Sequence, residues 1–462
     1  MMDEGYDLAV VGGGPGGYTA AIRAAQLGMR TVLVEREKLG GVCGNWGCIP
    51  SKAIIRSAEI YDLARRGESL GIVADGLRFD YERIVAHSRE AADRVSRGVQ
   101  TLMKKNRIDV VAGEGRIDGE HRLVVDGKDV VDAERILLAA GSAERLLPGI
   151  EVDPPRVMTS RELLADATLP ASVVIVGGGA IGVEFGYVFS CLGVEVTIVE
   201  LERHLLPGVD ETIARELQRS FSKRKVTVKT QCAFASLESG ESSVTVRVRG
   251  PKGEEAITAE RCVVAVGRRP RAAELGLAEA GIAVDRGLVR VNDRYETSVP
   301  HILAIGDLID SPPLAHVASS EGIAAVEIAL GRRPPGRLDA TRIPACVYCH
   351  PEVATIGRSE AQAKADGYDV RCGTFALRAL GRAVASGDLE GMVKVVTDAR
   401  TGELLGCHVI GGSATEVIAE AAMLMNLEGT IWDMAHTVHA HPTFAEGTME
   451  AALNALGEGL SA

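Results

Sequence analysis

The sequence predicts an α/β protein with two strand–helix–strand units followed by an α+β block. Three observations predict it. A glycine-rich turn joins a strand-like run to a helix-like run near the start. The whole pattern returns at a constant offset of 165 residues, Gly12 matching Gly177. Beyond Arg337 the texture changes to β-rich segments as far as Ile410, then to a helical pattern over Thr415–Leu427.

The first copy begins at Tyr6–Val11, a short apolar run that enters Gly12-Gly13-Gly14-Pro15-Gly16-Gly17. Tyr18–Leu27 has helical composition, and Gly28 suits its C-terminal cap. A β-type run, Thr31–Val34, ends on Glu35. Strand, glycine turn, helix, strand and acid in this order form the Rossmann dinucleotide-binding fingerprint in its proper context. Gly12 makes the tight turn, Gly14 lets backbone approach a pyrophosphate, and Gly17 permits close helix–strand packing. The helix start supplies N–H donors and partial positive charge to phosphates. Glu35 can accept from a ribose diol. One such motif is weak evidence, because a glycine turn is often only a turn. The second copy runs Val173–Val176, Gly177-Gly178-Gly179-Ala180-Ile181-Gly182, Val183–Leu192, Gly193, Val196–Val199 and Glu200. Gly177, Gly179, Gly182 and Glu200 repeat Gly12, Gly14, Gly17 and Glu35, so two bound nucleotides are expected. A carboxylate at Glu200 pairs with a free 2′-hydroxyl and repels a 2′-phosphate. Glu202 adds a second acid, and Arg203 is the only close cation, so NAD is expected rather than NADP.

Between and after these units the chain parses into blocks. Ser57–Lys105 has helix-forming composition apart from a Gly67–Asp80 loop, and Ile108–Leu138 reads as short strands that close at Ala139-Ala140-Gly141. Val226–Val266 again reads as strands, closing at Gly267. A length of 462 residues suggests roughly two to four domains. The balance of 51 basic and 63 acidic residues, net −12, with no basic tract, argues against a nucleic-acid partner. No run approaches the roughly 18 apolar residues of a membrane span. Met1-Met2-Asp3-Glu4 lacks the cationic segment of a secretory leader, so a cytoplasmic location is expected. No metal site is expected.

Nine cysteines, at 43, 48, 191, 232, 262, 346, 349, 372 and 407, do not suggest a disulfide framework in such a chain. Most should pack as small apolar side chains. Cys43-Gly44-Asn45-Trp46-Gly47-Cys48-Ile49-Pro50-Ser51-Lys52 is the exception. Four intervening residues, two of them glycine, allow the Cα separation of roughly 4.4–6.8 Å that a disulfide needs. Cys48 falls at or just before a helix start, where partial positive charge favours the thiolate, and Lys52 adds to it. The two residues read either as a redox pair or as unpaired core cysteines. Their place directly after a dinucleotide unit favours the redox pair over a structural staple. Cys346-Val347-Tyr348-Cys349-His350 has the spacing of c-type haem attachment. It sits in a β-type run, Ile343–Ile356, so haem and a second redox dithiol are both disfavoured.

Gly40-Gly41-Val42-Cys43-Gly44-Asn45-Trp46-Gly47-Cys48-Ile49-Pro50-Ser51-Lys52 resembles the redox-active segment of the class I pyridine-nucleotide disulfide oxidoreductases. The likeness covers essentially the whole chain. Thr297–Asp307, ending in Ile305-Gly306-Asp307, resembles that family's second FAD motif. His439-Ala440-His441-Pro442-Thr443-Phe444-Ala445-Glu446 is similar to the catalytic segment of its dihydrolipoyl dehydrogenase branch. The resemblance implies two Rossmann-like dinucleotide-binding domains, for FAD and NAD, and a C-terminal α+β dimerisation domain. The implied boundaries are 1–145 and 269–337 for the FAD-binding domain, 146–268 for the NAD-binding domain and 338–462 for dimerisation.

The resemblance also implies roles. Cys43 is the interchange thiol and Cys48 the flavin-side thiol of one disulfide. Asp307 bonds the ribityl chain, and Gly141, Gly267 and Ala315 join the cofactor contacts. Lys52 and Glu184 form an ion pair beside the flavin. His441 is the base and Glu446 its orienting carboxylate, supplied across a homodimer interface. Dihydrolipoamide on the lipoyl domain of a multienzyme complex is the implied electron donor. A histidine suits the task, since it titrates near neutral pH and a carboxylate can fix its tautomer. Thr443 to Glu446 reads equally as a helix capping box, and His439 reads as structural. The alternatives are a glutathione-type reductase, against which Glu200 and Glu202 argue, and a flavin subunit that mainly docks to a complex. Gly459-Leu460-Ser461-Ala462 lacks the vicinal cysteines of a mercuric reductase, and two cysteines argue against a single-thiol oxidase or peroxidase. Gly44, Trp46, Ala140 and Leu380 depart from the family's usual residues, and Gly44 is expected to loosen the loop carrying Cys43.

Overall fold

The computed structural model describes residues 5–460. The acidic N-terminal four residues, and Ser461 and Ala462 of the tail read above, lie outside them. The chain divides into two compact units. One comprises Met1–Ala53, Arg83–Arg145 and Gly267–Leu338; the other comprises Ile54–Glu82, Leu146–Val266 and Asp339–Ala462.

The first unit is built on a seven-stranded sheet. Tyr6–Val11 and Thr31–Glu35 are nearly continuous apolar runs, as suits parallel strands covered on both faces. They pair in register, Leu8 opposite Thr31 and Val11 opposite Val34. Asp109–Ala112 extends the sheet on one side. On the other side, Asp129–Leu138 changes partner along its length. Its first half alternates buried and exposed residues and pairs antiparallel with Arg122–Val125. Its apolar end runs parallel between Tyr6–Val11 and Ile302–Ala304. Helix Pro15–Gln26 takes Pro15 at its start, and Gly28 follows its end at φ 92°. Helix Ala315–Ala329 packs directly on it. A Cβ on Gly322 would lie 2.6 Å from the Gly16 carbonyl oxygen, so only glycine permits that approach.

The second unit contains a five-stranded parallel sheet, in the order Thr227–Lys229, Glu195–Val199, Ser172–Val176, Arg261–Val264 and Val157–Met158. An antiparallel meander, Ala233–Ser239, Val244–Gly250 and Gly253–Ala259, follows it in sequence. The C-terminal block is a five-stranded antiparallel sheet, in the order Ala345–Val347, Glu352–Gly357, Leu404–Gly411, Met392–Asp398 and Val370–Ala376. Helices Ala414–Asn426, Ile431–His436 and Glu446–Leu456 share its core. Gly373 lets the last of these approach, since a Cβ there would stand 2.0 Å from the Ala451 carbonyl oxygen.

A buried polar cluster joins the start of helix Glu211–Lys223 to the C-terminal sheet. Lys394 Nζ donates to both oxygens of Asp210 at 3.0 Å and to Glu360 at 2.8 Å. Asp210 also caps helix Glu211–Lys223 through the Thr212 amide. His408, fully enclosed nearby, bonds Thr355 through Nδ1 and the Arg358 carbonyl through Nε2.

Candidate active site

The two glycine turns have the same local construction. Gly12 lies at φ 104°, where a Cβ would meet the Ala139 carbonyl oxygen at 2.4 Å; Gly177 lies at φ 111°, with Ala265 at 2.3 Å. A Cβ on Gly17 would stand 1.8 Å from the Gly12 oxygen, and one on Gly182 1.9 Å from that of Gly177. Gly14 and Gly179 precede their helices in extended backbone; a Cβ on Gly179 would meet nothing within 4 Å, and one on Gly14 only the Gly41 Cα at 3.9 Å. Glu35 accepts from the Gly13 amide at 2.6 Å and from Glu37 at 2.8 Å. Glu200 does the same with Gly178 at 2.6 Å and Glu202 at 2.8 Å. Each acid is therefore oriented by two amides beside a helix start, which is the cradle a dinucleotide requires. Gly141 and Gly267 take left-handed turns at strand ends, with open space around them.

The Gly306–Leu308 turn presents Asp307, whose carboxylate accepts from the Ser142 hydroxyl. Arg268 Nε donates to the same hydroxyl at 2.8 Å. Glu321, buried in helix Ala315–Ala329, accepts from the Gly306 amide and the Ser311 hydroxyl, both at 2.7 Å. Burial pushes its carboxyl above the ordinary range, against the pull of those bonds. Ala315 is the first residue of that helix.

Cys43 lies in a short helix, Gly41–Trp46, and Cys48 is the first residue of the next, Cys48–Arg65. Both are thiols in this structure. The Cys43 side chain hydrogen-bonds to that of Cys48, and this bond, with burial, raises the Cys43 thiol far above its usual range; Lys52 opposes the rise. Cys48 stands at the first position of its helix, where partial positive charge favours a thiolate. The segment is braced. Asn45 Nδ2 donates to the Gly41 and Leu39 carbonyls at 2.9 and 3.1 Å. The Arg89 guanidinium lies 4.4 Å from the Trp46 ring centroid and donates to the Asn45 carbonyl at 2.7 Å. Gly44 is buried in the helix, where a Cβ would touch Val95 at an ordinary 3.6 Å. Cys43 and Gly44 thus lie in a short helix rather than the expected loop, and Asn45, Trp46 and Arg89 brace the segment.

In the second unit, His441 Nδ1 lies 2.8 Å from Glu446 Oε1. The other oxygen of Glu446 accepts from the Thr443 amide at 2.8 Å. Glu446 orients the histidine, but the capping box is not formed: Glu446 is the first helical residue after Ala445, and the Thr443 hydroxyl donates to the Ala440 carbonyl. Burial pushes the Glu446 carboxyl up, but the Thr443 amide and His441 together hold it below the ordinary range. Glu184 is buried and accepts from the Tyr348 amide at 3.1 Å. Cys349 is fully buried, with its thiol donating to the Pro351 carbonyl at 3.2 Å, and burial drives that thiol well above its usual range.

Residues 6–322 match the family described as pyridine nucleotide-disulphide oxidoreductase, and residues 343–452 match its dimerisation domain. The chain belongs to the pyridine nucleotide-disulphide oxidoreductase family. It is a member of a group of flavoprotein disulfide oxidoreductases that use FAD and a pyridine nucleotide. A dihydrolipoyl dehydrogenase of Rhizobium etli is 41% identical over 481 residues, covering 100% of both chains. One from Bacillus subtilis is 40% identical, covering 99% of this chain and 100% of its own. The crystal structure of LpdA from Mycobacterium tuberculosis has a TM-score of 0.89 at 29% identity, covering 96% of this chain and 98% of its own. Among the described residues, no helix is long and apolar enough to cross a membrane, and no group of His, Cys, Asp or Glu is arranged to hold a metal ion.

Sequence reasoning missed the supports of this oxidoreductase site. Glu321, Ser142 and Arg268 fix the Asp307 turn, and Arg89 braces Trp46 from a distant helix. Glu321 had one signal, an acid directly before the small and apolar run Gly322–Val326.

Proposed function

We propose that this oxidoreductase oxidises dihydrolipoamide carried on the lipoyl domain of a multienzyme complex and reduces NAD⁺. The observation that carries the reading is the hydrogen-bonded Cys43–Cys48 pair at a helix start, in a chain about as long as dihydrolipoyl dehydrogenases roughly two-fifths identical to it. Gly12, Gly14, Gly17, Glu35, Gly141, Asp307 and Ala315 would hold FAD, within segments 1–145 and 269–337. Gly177, Gly179, Gly182, Glu200 and Gly267 would hold NAD, within 146–268. Lys52 and Glu184 are assigned as the charged groups beside the flavin. The matched turns at Gly14 and Gly179, each beside an acid held by two amides, support both assignments.

The residues act in sequence. His441, oriented by Glu446, takes a proton from one substrate thiol, since the thiolate is the attacking form. That thiolate attacks Cys43 of the oxidised pair, and Cys48 leaves as a thiolate. The second substrate thiol then displaces Cys43, which regains a proton as the cyclic disulfide departs. The two electrons now rest in a Cys43 thiol and a Cys48 thiolate, the arrangement the raised Cys43 thiol favours. FAD, when bound, supplies the two-electron relay from this pair to the nicotinamide.

His441 and Glu446 of each subunit serve the dithiol of the other, with 338–462 forming the homodimer. Glu200 and Glu202 select NAD by disfavouring a 2′-phosphate. A cytoplasmic setting, which keeps thiols reduced, suits the cysteine content. Steady-state assays with dihydrolipoamide and NAD⁺, set against oxidised glutathione and NADPH, test the reading. Turnover with the first couple and little with the second supports it; the reverse preference overturns it. In the same assay Glu200→Ala should narrow the preference for NAD over NADP, and an unchanged ratio would remove Glu200 from that role.

A further inference from the structure

We infer that His439 is a positioning residue which, paired with Glu420 around a shared proton, anchors the segment carrying His441. This rests on the proposed role of His441 as the base. His439 Nδ1 lies 2.8 Å from the Thr437 carbonyl oxygen, and its Nε2 lies 2.8 Å from Glu420 Oε1. A carbonyl oxygen and an ionised carboxylate can only accept, while a neutral imidazole carries one N–H. Both contacts are satisfied together only when the His439–Glu420 pair holds one proton beyond that of a neutral ring. Thr448 Oγ1 lies 3.1 Å from the remaining Glu420 oxygen and 3.4 Å from His439 Nε2, and its hydroxyl has the Ala445 carbonyl at 2.7 Å as its shortest acceptor.

The surroundings fit such a pair. The His439 side chain is 6% exposed, whereas that of His441, two residues on, is 73% exposed. Glu420 faces His439 from helix Ala414–Asn426, and Glu446 acts on it electrostatically from helix Glu446–Leu456. Cys407, from strand Leu404–Gly411, lies close enough for Glu420 to act on it, and burial keeps it a neutral thiol. The stretch between helices Ile431–His436 and Glu446–Leu456 has neither helix nor strand to hold it, and Val438 is 95% exposed. Its anchors include Phe444 packed on the core of the C-terminal sheet, Thr443 Oγ1 on the Ala440 carbonyl at 2.8 Å, the Thr443 amide on Glu446, and the His439–Glu420 pair. Removing the extra proton sets two acceptors against each other at Nε2, and the segment must shift. A small misplacement of a catalytic group lowers turnover by as much as about 100-fold.

The test uses the FAD-loaded full-length protein with histidines labelled in carbon-13 and nitrogen-15. The His439 resonance is identified by its loss in His439→Gln. The account expects a doubly protonated His439 ring at pH 7.5 and a singly protonated one in Glu420→Gln, where the amide can donate to Nε2. A singly protonated ring in the unsubstituted protein would overturn the shared-proton pair. Glu420→Ala should lower kcat by about 10- to 100-fold with KM for NAD⁺ unchanged and flavin content retained, and Glu420→Gln should recover part of the loss. A protonated ring together with unchanged kcat in Glu420→Ala would overturn the positioning role. Absence of dihydrolipoamide turnover in the unsubstituted protein would instead count against the base assignment, because the NMR result does not depend on substrate.

Discussion

A methyl group distinguishes three glycines that the sequence alone presents alike. On Gly182 it would stand 1.9 Å from a backbone oxygen, and on Gly17 1.8 Å, but on Gly44 it would meet Val95 at 3.6 Å. Gly182→Ala should therefore abolish saturable NAD⁺ binding while FAD absorbance is retained; intact NAD⁺ saturation would show that the second turn can relax. Gly44→Ala should instead stabilise the protein by about 0.5–1 kcal/mol in urea unfolding, the usual gain from replacing a helix-interior glycine that has room. A loss of stability there would mean that Val95 cannot give way. The motif glycines were legible because a backbone that tolerates no side chain writes that demand into the sequence. The surroundings of Gly44 were not legible because its helix is only six residues long and its brace, Arg89, lies 44 positions beyond Asn45. At the proposed base, His441→Gln should lower kcat by about 10²- to 10⁴-fold without altering the flavin spectrum. A loss below tenfold would exclude His441 as the principal base.

At the scale of elements, the polar cluster that ties helix Glu211–Lys223 to the C-terminal sheet carries a pH signature. Burial holds His408 below its ordinary value, so it folds neutral, while the unfolded chain binds a proton near pH ~6.5. Its contribution is therefore complete above that pH and declines as pH falls below it. Hydrogen bonds from Lys364 and Lys394 lower the Glu360 carboxyl to about 2. Burial works against Asp210, but the bonds from Lys394 and the Glu360 amide hold it below the ordinary range. Both carboxylates contribute above their ordinary range, and their share is lost only as pH falls through the lowered values. Lys394 is raised by Glu360 and Asp210 against the opposing effect of burial, so its share is lost only at high pH. Melting temperature should thus fall between pH 7.5 and 5.5, and His408→Gln should flatten that interval; an already flat profile would exclude His408. Lys394→Met should destabilise by about 3–5 kcal/mol, because it strands a buried carboxylate. None of this was legible beforehand. Asp210, Glu360, Lys394 and His408 are far apart in sequence, and nothing local to any of them signals the others.

For the whole molecule, the repeat at 165 residues was the most legible feature, since each copy completes a strand–turn–helix unit from neighbouring residues. Helix Ala180–Cys191 and strand Glu195–Val199 fall where the pattern placed them, within a few residues at their ends. Less legible was that one compact unit draws on three separate stretches of chain, because only long-range strand pairing reveals it: Ile302–Ala304 lies beside Asp129–Leu138. The central claim is that electrons pass through Cys43 and Cys48 to a flavin. It is tested most directly by the visible spectrum of the FAD-loaded protein during anaerobic, stepwise reduction with dithiothreitol or NADH. The account predicts a long-wavelength absorption band that appears on uptake of two electrons and is lost in Cys48→Ser. A reduction that never shows the band, or a band that persists in Cys48→Ser, would contradict it.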